Sequence, residues 1–100
     1  MTIGIDFDGT WTLDPGFWNA FYKLCKQSGH SVVMVTGRSV RSEDMSRYSL
    51  PEDLTVIFTS GQMKERAALK SGWKVDVWID DMPAMIQECA VLLPTADKFL

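Results

Sequence analysis

Short apolar runs alternate along this chain with stretches of helical period. Residues 2–7, TIGIDF, are few and rich in β-branched side chains, as in a strand. The segment 14–29, DPGFWNAFYKLCKQSG, carries full helix punctuation. Asp14 can cap, Pro15 takes the first helical position, and Gly29 can close the end. Phe17, Phe21, Leu24 and Cys25 recur at helical spacing beside Trp18, which predicts one apolar face. SVVMVT (31–36) is a continuous apolar run, the pattern of a strand covered on both sides. A short helix is expected within 40–48, before Pro51, then a strand over 54–59, a helix over 62–72 closed by Gly72, and a strand over 75–80. Pro83 is expected to open a helix running to about Cys89, and AVLLP (90–94) to add a fifth strand.

Strand followed by helix, repeated, predicts βα units and a parallel sheet. Right-handed crossovers then place helices on both faces. The expected fold class is α/β: one three-layer, Rossmann-like domain spanning 1–100, with a central sheet of four to five strands. In such sheets, ligands bind outside the carboxyl ends of the strands, so the residues that follow each strand matter most. These are Asp6-Phe7-Asp8-Gly9-Thr10 after the first and Thr36-Gly37-Arg38 after the second. Ser60, Gly61 and then Lys64 follow the third; Asp80 and Asp81 follow the fourth.

Up to four carboxylates would converge there. Like charges that close repel by a few kcal/mol even at an effective dielectric near ~20. A hard divalent cation removes the conflict, and Asp6, Asp8 and Asp80 offer the oxygen ligands that magnesium prefers. Lys64, the Thr36 hydroxyl and backbone N–H groups around Gly9 and Gly37 suit a phosphate group beside it. Gly9 permits the tight turn that brings the Asp8 and Thr10 backbone near a ligand.

Composition narrows the setting. At 46% apolar the chain can build a core, and its net charge of −3 with no Lys/Arg-rich run gives no basic stripe for a nucleic-acid backbone. A nucleic-acid partner stays open but is not indicated by charge. MTIGIDF lacks the layout of a signal peptide, and no apolar stretch has bilayer-spanning length. Cys25 and Cys89 lack metal or redox spacing and read as reduced core cysteines of a cytoplasmic protein. The expected state is a monomer or a small homo-oligomer.

In their order along the chain, DFDGT (6–10), VMVTGR (33–38), the Lys64 region and WIDDMP (78–83) resemble the four motifs of the haloacid dehalogenase-like hydrolase superfamily. The resemblance runs from Ile3 to Pro83. It implies a Mg²⁺-dependent phosphatase in which Asp6 is the nucleophile and Asp8 the general acid/base. The Asp8 main-chain carbonyl would reach the metal, Thr36 and Lys64 would hold phosphoryl oxygens, and Asp80 would ligate the metal with Asp81. Aspartate at position 8 fits phosphate-ester hydrolysis rather than dehalogenation. Many family members insert a cap domain after the first motif or between the second and third. The intervals 9–35 and 37–63 are too short for one. An open site fits a large or self-covering substrate, such as a phosphoprotein or a nucleic-acid or nucleotide phosphate.

Several residues carry two readings. Lys70 rivals Lys64 as the third-motif lysine, and Asp81 is either a metal ligand or a cap ahead of Pro83. Trp11 and Arg38 are candidate substrate contacts, against plain readings as core and as solvated rim. Trp73 and Trp78 read as packing. The alternative function is a binding module that holds a phosphorylated ligand or a protein without useful turnover. Phosphoryl transfer to an acceptor other than water stays chemically adjacent.

Overall fold

The computed structural model describes residues 1–87. Four strands, β1 (Thr2–Ile5), β2 (Ser31–Thr36), β3 (Thr55–Phe58) and β4 (Val77–Ile79), form one all-parallel sheet in the order β3-β2-β1-β4. The helices are α1 (Pro15–Gln27), α2 (Glu43–Ser46) and α3 (Lys64–Lys70), with single 3-10 turns at Trp11–Leu13 and Pro83–Met85. Ile3 pairs with Val32 on one side and Val77 on the other, so β1 is a central strand. The chain is α/β, as its alternation predicts. Among the described residues, no helix is long and apolar enough to cross a membrane.

The β2 run explains itself once the sheet is seen. Val32 and Met34 belong to one apolar cluster, with Ile3, Ile5, Phe7, Tyr22 and Cys25. Val33 and Val35 belong to another, with Ile57 and with Ala67 and Ala68 of α3. Successive strand residues face opposite sides, so a strand covered on both faces has no polar alternation. Trp73 and Trp78 pack against the second cluster, in line with their reading as packing residues. Trp78 also explains Gly4: a Cβ there would sit 2.8 Å from the indole ring.

The start of α1 follows its sequence. The Phe17 N–H donates to Asp14 Oδ1 at 3.1 Å, Pro15 occupies the first turn, and Gly29 takes φ +82° just beyond the end. Its buried face, however, is rotated from the expected one. Tyr22 and Cys25 are buried, and Trp18 and Phe21 pack against the same core. Spacing of 18, 21, 22 and 25 is one helical stripe. Phe17 and Leu24 lie on its flanks and are 57% and 61% exposed. The buried stripe includes Tyr22 because its hydroxyl can reach outward and donate to Asp53 Oδ1 at 3.0 Å.

Other boundaries shift. β1, β3 and β4 are shorter than their apolar runs: β1 stops at Ile5, β3 spans Thr55–Phe58 and β4 spans Val77–Ile79. α3 is shorter than 62–72, while β2 matches its run. The short helix narrows to Glu43–Ser46. After Pro83 the described chain makes one 3-10 turn. The expected continuation to Cys89 and the strand at 90–94 lie outside the described residues.

Candidate functional site

From β1 the chain steps to β2 and β3 on one side, and then returns to place β4 on the other side of β1. The crevice at such a reversal lies between the carboxyl ends of β1 and β4. Asp6 and Asp80 leave those two strands at the same level: the Asp6 N–H donates to the Ile79 carbonyl at 3.0 Å, extending the ladder by one bond.

Lys64 opens α3 and is only 4% exposed. Its ammonium donates to Asp6 Oδ1 at 2.7 Å and to Asp80 Oδ2 at 2.6 Å. The other Asp80 oxygen accepts the Met82 N–H at 2.8 Å. The start of α3 is tied to the turn after β4 by a 2.8 Å bond from Glu65 N–H to the Ile86 carbonyl. Lys64 is therefore the lysine at the site. Lys70, its rival, is exposed at the far end of the helix.

Asp6 is buried, and burial pushes its carboxyl up to about 6; nearby Asp81 and Asp80 push the same way, and Lys64 opposes them. Carboxylate oxygens of Asp6, Asp80 and Asp81 all lie within 4.8 Å of one another. Three carboxylates against one ammonium leave a net negative charge in a half-buried space. That set of hard oxygen donors fits a divalent cation such as Mg²⁺. Gly9 adjoins it with φ +80°, and a Cβ there would collide with the Asp81 carboxylate. The Asp81 side chain thus lies against the Gly9 backbone, inside the acidic group.

A cleft of about 240 Å³ is lined by Asp6, Asp8, Gly37, Lys64, Asp80, Asp81, Met82 and Met85. Six of these are residues that the sequence singles out; the two methionines are not. Gly9 and Thr10 line a neighbouring cleft of about 380 Å³, together with Leu13, Phe17, Trp18 and the same Asp80 and Asp81.

Asp8 is held differently from Asp6. It is exposed and faces Arg38, which forks onto it with Nε to Oδ2 at 2.9 Å and Nη2 to Oδ1 at 2.7 Å. This pairing holds the Asp8 carboxyl below its usual range, against a smaller opposing push from burial. Arg38 also donates to both oxygens of Asp44 at 2.9 Å and to Ser42 Oγ at 2.6 Å. Its guanidinium lies 5.2 Å from the Phe7 ring centroid. The sequence pattern does not mark Asp44 or Ser42 as site residues. Their one signal was an acidic first turn after serine, which reads equally well as helix capping.

Four expected roles need adjustment. Trp11 is fully buried in the first core cluster, which leaves it no open face for a substrate. Thr36 is fully buried, is not part of the cleft lining, and its Oγ1 accepts the Arg38 N–H at 3.3 Å. The Gly9 N–H is engaged by Thr12 Oγ1 at 3.0 Å, and the Thr10 N–H donates to the Phe7 carbonyl at 3.3 Å. The Asp8 side chain points to Arg38 rather than into the acidic group.

Comparison of the chain with models of known protein families, with curated proteins and with solved structures finds no match.

Proposed function

We propose that this chain is a Mg²⁺-dependent phosphomonoesterase working through an aspartyl-phosphate intermediate, on a three-layer Rossmann-like scaffold without a cap. The observation that carries the reading is the convergence of buried Asp6 with Lys64, Asp80 and Asp81 at the crevice between β1 and β4. The resemblance of DFDGT, VMVTGR, the Lys64 region and WIDDMP to haloacid dehalogenase-like hydrolases supports it independently.

Each residue then has a task. Asp6, ionised above about pH 6, attacks phosphorus through a carboxylate oxygen. The bond to the leaving oxygen breaks with its electron pair staying on that oxygen, which takes a proton from Asp8 after that carboxyl has left the Arg38 fork and been protonated. Asp8 next takes a proton from the water that attacks phosphorus, and the bond to Asp6 breaks to regenerate its carboxylate. Lys64 offsets the negative charge of the transferred group. Asp6, Asp80 and Asp81 would hold the metal ion, which when bound neutralises phosphoryl oxygens so that an anion can approach an anion. Only a 3-10 turn and α1 separate β1 from β2, and only α2 separates β2 from β3, so neither interval inserts a cap domain. A site without an inserted cap suits a large or self-covering phosphate ester.

One observation favours a second reading, a module that binds a phosphorylated ligand without useful turnover: both Asp8 oxygens are taken by Arg38. Hydrolysis of 4-nitrophenyl phosphate separates the two. The enzyme reading expects Mg²⁺-dependent release of 4-nitrophenol, lost on chelation and in Asp6→Asn. Thermal stabilisation by phosphate esters with no product would establish the binding module instead.

A further inference from the structure

Beside the acidic group lies an apolar cleft that the phosphatase steps leave unused. It holds about 380 Å³ and shares Asp80 and Asp81 with the cleft around Asp6 and Lys64. Its apolar lining comes from Leu13, Phe17, Trp18 and Ile79. Leu13 and Phe17 are 79% and 57% exposed, so the folded chain leaves two large apolar side chains in water within one concavity. Apolar residues scattered singly over a surface are ordinary. Two in one cleft, beside convergent charged groups, point to a ligand.

The apolar wall is fixed to the segment that supplies Asp6. The Thr10 carbonyl accepts the Trp18 indole N–H at 2.9 Å and the Leu13 N–H at 3.1 Å. The Phe17 ring stands edge-on to that of Trp18, with centroids 4.9 Å apart, and Trp18 meets Phe21 in the same way at 5.5 Å. Trp18 and Phe21 pack on the first core cluster, so Phe17 is the outer member of a row of rings anchored in the core. A further ring extends such a row and gains contact beyond what apolar burial alone gives. We propose that this cleft seats the alcohol part of the substrate and selects phosphate esters whose alcohol carries an aromatic ring a short link from phosphorus. This rests on the phosphatase reading and deepens it: the acidic group with Lys64 takes the phosphoryl end, and Leu13, Phe17 and Trp18 take the ring.

Ethyl phosphate and 2-phenylethyl phosphate test the inference. Both release a primary alkoxide, so they differ in the ring and little in the chemistry of departure. The wild type is expected to show kcat/KM about tenfold higher on the phenylethyl ester, the scale on which a pocket discriminates a small apolar increment. In Leu13→Ser and in Phe17→Ser that ratio should fall below about threefold. Taking a ratio cancels any loss common to both esters. Leu24→Ser, similarly exposed on α1 but outside the cleft lining, should keep the wild-type ratio. The thermal midpoint of each variant shows that it is folded. A wild-type ratio near one, a ratio unchanged in both cleft variants, or an equal fall in Leu24→Ser would overturn the inference. So would turnover of 4-nitrophenyl phosphate without turnover of 2-phenylethyl phosphate. A wild type inactive on all of these esters would overturn the phosphatase reading, and this inference with it.

Discussion

The Lys64 ammonium donates to Asp6 across 2.7 Å, although 58 positions separate the two residues. Both side chains are more than nine-tenths buried, and so is that of Asp80. Removing one partner of a buried ion pair leaves an uncompensated charge, at a cost of about 3–5 kcal/mol. Lys64→Met is therefore expected to lose about that much stability at pH 7.5 in urea titrations without divalent cation. Added Mg²⁺ should recover part of it, because a bound cation can stand where the ammonium stood. A stability change below about 0.5 kcal/mol would mean that these carboxylates are already solvated.

Asp6 also gives a sign for pH dependence. Its folded value, about 6, lies above the ordinary carboxyl value of 3.8, mainly through burial. Between those values the folded chain binds more protons than the unfolded one, so this group's contribution to stability falls as pH rises from about 4 to 6. The stability difference between wild type and Asp6→Asn should decline across that window in metal-free buffer. With Mg²⁺ present the decline should flatten, because the cation favours the ionised carboxyl. Asp8 acts oppositely: its lowered value adds stability above its unfolded range, lost as pH falls through the folded value.

Gly9 and Gly61 form a matched pair for another measurement. Both have φ near +80°, yet a Cβ at Gly9 meets the Asp81 carboxylate and a Cβ at Gly61 meets nothing within 4 Å. Each alanine substitution should cost about 1–2 kcal/mol of backbone strain. Only Gly9→Ala should also weaken Mg²⁺ binding in calorimetry, by moving Asp81. Equal metal affinity in the two variants would remove Asp81 from the metal site.

The rotated face of α1 predicts an asymmetry between adjacent residues. Leu24→Ser should change stability by less than about 0.5 kcal/mol, since that side chain is already 61% exposed. Cys25→Ser should cost about 1–3 kcal/mol by burying a hydroxyl among apolar neighbours. Urea denaturation midpoints decide whether Leu24 shares the apolar face with Cys25, as the sequence spacing expects, or lies outside it.

What could be read in advance was what local chemistry determines. Asp14 and Pro15 mark the start of α1 because capping needs only the next three residues. The unbroken apolar run of β2 marks a strand with two covered faces. Sheet topology gathers Asp6, Lys64, Asp80 and Asp81, since each follows a strand or opens the helix after one. The angle at which α1 settles on the sheet was not legible. It decides whether Tyr22 or Phe17 is buried, and both satisfy helical spacing. Arg38 and Asp44 lie six positions apart across a bend, with no periodicity to link them. Trp11 carried both a core and a substrate-contact reading in the sequence, and its burial in the first core cluster agrees with the core one.

Pairing of β4 with β1 joins the last described strand to the first. On a ribosome, Asp6 is made before Lys64, and both precede Asp80 and Asp81. An arrested product ending before Val77 would leave one edge of β1 bare and would lack the Asp80 and Asp81 carboxylates. If the acidic group holds a cation, that competence arrives late in synthesis, and cation-induced protection from proteolysis would report only chains that extend past Asp81.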